Sequence, residues 1–66
     1  MDEEKMLKWF LYMHLPEHLR PVSGLFSDLA RTICELVDPG PERTVALRKL
    51  LEAKDAAVRA KLHPGG

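Results

Sequence analysis

The sequence predicts an all-α fold: an antiparallel helical hairpin with an N-terminal helical arm, held in an oligomer. Three observations predict it. Apolar residues recur at helical spacing through three segments. Prolines fall at the ends of those segments, at Pro16, Pro21, Pro39, Pro41 and Pro64. The chain has only 66 residues, of which 45% are apolar. It makes a single domain over residues 1–66, with the arm at 1–13 and the hairpin helices at 16–37 and 41–62.

The first helix is expected from Asp2 to Met13. Asp2, Glu3 and Glu4 fill its first turn, where they favour the helix dipole. Met6, Trp9, Phe10 and Met13, with Leu7 and Leu11, give it a broad apolar face, which reads as a docking surface for another subunit. His14-Leu15-Pro16 ends it, because the residue before proline is pushed out of the helical region.

A short turn from Pro16 to Arg20 and a main helix from Pro21 to about Val37 satisfy both of the next prolines. Val22, Leu25, Phe26, Leu29, Ile33, Leu36 and Val37 are expected to form the inner stripe of this helix. Gly24 costs it about 1 kcal/mol relative to alanine, and a close backbone approach would explain a glycine there.

Asp38-Pro39-Gly40-Pro41 is a tight stop and restart. The last helix then runs to about Leu62, roughly 33 Å at 1.5 Å per residue. The short connection makes the two long helices antiparallel neighbours. Leu47, Leu51, Val58 and Leu62 form one ridge of the last helix, and Ala46, Leu50, Ala53, Ala57 and Ala60 a second. Two ridges call for two partners, the neighbouring helix and another chain.

Small size points the same way. A domain of this length buries only about 60% of the surface that its unfolded chain exposes, and such domains usually need a staple. Cys34 is the sole cysteine, so no internal disulfide forms. One cysteine and three scattered histidines give no zinc-finger ligand set. Oligomerisation is the staple that remains.

Formal net charge is zero, which argues against a general binder of DNA or RNA duplexes. Residues 41–62 nevertheless hold six cations against three anions, while residues 21–40 hold Arg31 against Asp28, Glu35 and Asp38. These segments either pack on each other or leave a basic anion site. No run reaches the length of a membrane span, and the acidic start does not suit a signal peptide, so a cytosolic protein with no membrane partner is expected.

Catalysis has little support. Ser23 and Ser27 are the only serines, and no phosphate loop, H-E-x-x-H or G-x-S-x-G motif occurs. Cys34 falls on the apolar stripe and reads as a packed thiol. His14 and His18 have metal-compatible spacing, but Pro16 between them breaks the helix, so no metal or cofactor is expected. Tyr12 and His14 stand just before a chain turn, where an aromatic face either stacks on a nucleobase or packs in an interface. Gly40-Pro41-Glu42-Arg43-Thr44 opens the last helix. Its free N–H groups, guanidinium and hydroxyl either bind phosphate or simply cap the helix.

Pro-Glu-Arg-Thr-x-Ala-Leu-x-Lys-Leu-x-Glu-Ala (Pro41 to Ala53), set after a Leu-Val-Asp-Pro turn, resembles the helical-hairpin family of phage nucleotide sponges, the small anti-CBASS sponges and the related anti-Thoeris sponges. Tyr12-Met13-His14-Leu15-Pro16 and the basic end of the last helix around Arg59 extend the resemblance over about residues 12 to 62.

The resemblance implies a phage protein, acting in the cytoplasm of the infected bacterial host, that captures cyclic oligonucleotide immune messengers without cleaving them. It implies a homohexamer holding cyclic dinucleotides and cyclic trinucleotides at separate sites between subunits. Tyr12 would stack on a cyclic-dinucleotide base. The family's phosphate lysine falls near Ser27, where this chain has none, so Arg20 or Arg31 would have to serve. The trinucleotide site would use Arg43, Thr44 and Arg59. The alternative is a helical protein–protein interaction adaptor with no small-molecule ligand.

Overall fold

A computed structural model describes residues 5–65. All regular structure among them is helical: a 3-10 helix η1 (Lys5–Phe10), a 3-10 turn η2 (Glu17–Leu19) and two α-helices, α1 (Arg20–Leu36) and α2 (Pro41–Leu62). The two α-helices pack against each other, and η1 lies against both. The body measures 37 × 22 × 16 Å, so its long dimension is close to the length expected for α2.

The arm differs from its expectation. In place of an α-helix over Asp2–Met13, a six-residue 3-10 helix ends at Phe10, and Asp2, Glu3 and Glu4 lie outside the described residues. Residues three apart eclipse in a 3-10 helix. Leu7 and Phe10 therefore share one side, and Phe10 is fully buried there while Trp9 and Leu11 stay exposed. Anchoring by one aromatic near the end of the segment has replaced a long amphipathic face. Lys54 secures the arm to α2: its Nζ donates to the Trp9 carbonyl at 3.0 Å and meets Asp55 Oδ1 at 3.4 Å.

Both prolines of the second segment sit where their missing N–H costs nothing. Pro16 is extended (φ −54°, ψ 147°) and leads into η2. Pro21 occupies the first turn of α1. At the far end, the Val37 N–H donates to the Ile33 carbonyl at 2.9 Å. Arg43, only 7% exposed, closes the connection. Its Nη1 donates to the carbonyls of Val37 at 3.0 Å and Cys34 at 3.4 Å. A guanidinium there satisfies carbonyls left over at a helix C-terminus and complements the dipole.

The inner stripe expected of α1 is realised only in part: Phe26 and Ile33 pack on the core, but the leucines of the stripe do not. Its buried residues are Ser23, Gly24, Ser27 and Ala30. Leu25, Leu29 and Leu36 are instead 65%, 46% and 80% exposed. Small side chains let η1 and α2 approach the helix axis closely, and they leave the leucines on the opposite side. The core is correspondingly thin: Phe10, Ala30 and Leu47, with Met6, Leu7, Phe26, Ile33, Cys34, Leu50 and Leu51 packed around them.

Candidate functional site

After Phe10 the chain turns back, with the Leu15 N–H donating to the Tyr12 carbonyl at 3.0 Å. This reversal brings the Tyr12 ring onto α1. A Cβ placed on Gly24 would stand 3.1 Å from Tyr12 Cε2 and 3.3 Å from Cζ, closer than side chains normally approach. Gly24 is therefore the seat of the tyrosine ring, which is the close approach that the sequence suggested.

Arg20, Gly24 and Asp28 follow one another at intervals of four and so share a face of α1. With Tyr12, Glu17, Pro21 and Leu25 they line an open groove of about 600 Å³. The Arg20 Nε donates to the Leu15 carbonyl at 3.0 Å, which fixes the guanidinium plane beside the turn. One groove thus combines an aromatic ring, a held guanidinium and two carboxylates. Such a set can stack a planar heterocycle, attract a phosphate and accept hydrogen bonds from amino or imino groups of a base.

A second groove of about 400 Å³ lies at the end of α2, lined by Arg59, Ala60, His63 and Gly65. The His63 N–H donates to the Arg59 carbonyl at 2.8 Å as the helix ends. Gly65 then adopts φ 85°, a backbone conformation that favours glycine. Arg59 itself is exposed.

The proposed ligand residues therefore separate into groups. Tyr12 and Arg20 come together in the first groove, and Arg59 belongs to the second. Arg43 is turned into the molecule, and the Thr44 hydroxyl donates to the Gly40 carbonyl at 3.2 Å. The donors expected to greet a phosphate at the start of α2 thus serve the helix connection. His14 and Arg31 are exposed and line neither groove.

Glu17, Gly24 and Asp28 in the first groove, and His63 in the second, were not singled out as site residues from the sequence. The interval Arg20-Gly24-Asp28 was a usable signal, but only once the chain reversal after Phe10 is known. Among the described residues, no group of three or more His, Cys, Asp and Glu side chains is placed to hold a metal. No described helix is long and apolar enough to cross a membrane. No family model, no curated protein and no solved structure matches the chain.

Proposed function

We propose that this protein sequesters cyclic oligonucleotide messengers and releases them uncleaved, as phage nucleotide sponges do in the host cytoplasm. The observation that carries the reading is the groove in which Tyr12, Arg20 and Gly24 meet. A base stacks on Tyr12 and a phosphate pairs with Arg20, which stands in for the missing lysine. Arg59 and His63 form a second region, suited to a larger cyclic trinucleotide. Subunits are antiparallel hairpins, and they associate as a homo-oligomer, a hexamer by the resemblance. The reading is of a binding protein and assigns no catalytic step to either groove.

Calorimetric titration with cyclic di- and trinucleotides tests this. Tyr12→Ala and Arg20→Ala are expected to weaken cyclic-dinucleotide binding and spare trinucleotides, and Arg59→Ala to do the reverse. Losing a charge-assisted phosphate contact costs about 1.5–3 kcal/mol, roughly ten- to more than a hundredfold in affinity. Chromatography of heat-released ligand should return the intact ring; linear products would overturn the reading. The exposed leucines of α1 favour the second reading, an adaptor that binds protein alone, and absence of binding to either ligand class would promote it.

A further inference from the structure

The outer face of α1 is a heptad seam that no described residue covers. Val22, Leu25, Leu29, Thr32 and Leu36 are spaced three, four, three and four apart, the interval of coiled-coil contact positions. The one polar member does not oppose burial, because the Thr32 hydroxyl already donates to the Asp28 carbonyl at 3.0 Å. Three leucines between 46% and 80% exposed on a 66-residue chain make a large apolar surface for so thin a core.

Two features identify what covers it. Asp28 and Glu35, both exposed, run along one edge of the seam. Two α1 seams packed face to face in antiparallel would set these carboxylates against each other. The exposed face of α2 repeats the same interval with small residues: Ala46, Lys49, Ala53, Ala56 and Ala60, every one exposed. Lys49 stands in that face and Arg59 borders it, alongside Glu52. Large leucines fit over small alanines, and the acidic edge meets the basic positions.

We propose that the outer leucine face of α1 is covered in solution by the alanine face of α2 from a second copy of the chain, head to tail. An antiparallel register sets Leu25 on Ala60, Leu29 on Ala56 and Leu36 beside Lys49. Asp28 then pairs with Arg59, and Glu35 lies between Lys49 and Glu52. Leu25 lines the Tyr12 groove and Ala60 lines the Arg59 groove. The register therefore brings the two open grooves side by side across the contact, each still lined by its own residues. A head-to-tail contact leaves a free seam at each end of a pair, so it propagates until a ring closes.

This deepens the self-association part of the reading above and is tested without any ligand, so its failure is separate from failure of messenger binding. Sedimentation velocity should show concentration-dependent association of the parent protein. Leu29→Glu should keep the helical circular-dichroism signal and weaken association by roughly a hundredfold or more, since it buries an unpaired carboxylate. Asp28→Lys should weaken it and Asp28→Lys with Arg59→Glu should restore it. In a Cys34→Ala background, mixing Leu29→Cys with Ala56→Cys under oxidation should give the mixed disulfide dimer. A monomeric parent at high micromolar concentration, or cross-links between Leu29→Cys copies alone, would overturn the proposal.

Discussion

The face of α1 that turns into the molecule buries Ser23, Gly24, Ser27 and Ala30, with Phe26 and Ile33 packed beside them, whereas the face turned to solvent carries Leu25, Leu29 and Leu36. Here the small residues permit close approach, with the Tyr12 ring seated on Gly24, while the leucines stay exposed on the subunit. Amphipathicity thus reports that a helix has an apolar partner, without saying whether that partner is in the same chain. In a domain that buries so little, the partner outside can outweigh the one inside.

The largest expected effect lies where the inner face is closed off. Arg43→Met removes the guanidinium bonds to the Val37 and Cys34 carbonyls while keeping an apolar stem in the buried space. It should lower unfolding stability by about 1.5–3 kcal/mol, the usual loss for hydrogen bonds to a charged group. Urea denaturation measures this directly. If stability is unchanged and only ligand affinity falls, Arg43 serves a phosphate and not the connection between the helices.

Ala30 tests the inner face itself. It is fully buried in one cluster with Phe10 and Leu47, and Ala30→Leu must push apart elements that now touch. The expected cost is about 1–3 kcal/mol, as for other overpacked cores. The same change of size on the outer face, in reverse, should cost the monomer far less. Should Ala30→Leu be neutral or stabilising, the interior of the subunit is looser than the packing of η1 on α1 requires.

These contrasts mark what the residues could and could not announce. The helical segments and their proline boundaries were legible because helical periodicity and the chemistry of proline are local. The shape of the arm was not. Six residues from Lys5 to Phe10 are too few for local spacing to separate a 3-10 helix from an α-helix, and the burial of Phe10 decides the outcome. The orientation of α1 was not legible either, since its leucines outrank its serines on any apolar scale. The close seat of Tyr12 on Gly24 and the packing of Phe10 with Ala30 favour small side chains on that face. Tyr12 and Arg20 were each legible as candidate ligand residues; their juxtaposition depends on the turn between them. Arg43 was ambiguous because a cation at a helix start suits a phosphate as well as it suits the carbonyls of the preceding helix, to which its Nη1 donates.

Gly24 carries a smaller but more specific effect. Gly24→Ala adds helix propensity worth about 1 kcal/mol, and it also places a methyl 3.1 Å from Tyr12 Cε2. The two contributions oppose each other, so stability should move by less than about 1 kcal/mol. The ring, however, must shift by a few tenths of an ångström, and the groove is shaped by that ring. Cyclic-dinucleotide affinity should therefore fall while the thermal midpoint holds, as read by calorimetry and melting on the same sample. A variant that binds as tightly as the parent would show that the ring position is immaterial and would remove Tyr12 from the site.

Leu36 should give the smallest effect on the isolated subunit. It is 80% exposed, and a change at so exposed a position usually stays within about 0.5 kcal/mol. Leu36→Ser should thus leave the unfolding midpoint unchanged at nanomolar concentration, where any assembly has dissociated. At high micromolar concentration the parent should melt at a higher temperature, because association draws on the folded state alone. The variant should lose most of that rise. Equal concentration dependence in parent and variant would mean that the outer leucines contact no second copy. A large loss for the variant at nanomolar concentration would mean that Leu36 already packs within its own subunit. The contrast between the two faces of α1 therefore comes down to one curve, midpoint against concentration, and to whether replacing a single exposed leucine flattens it.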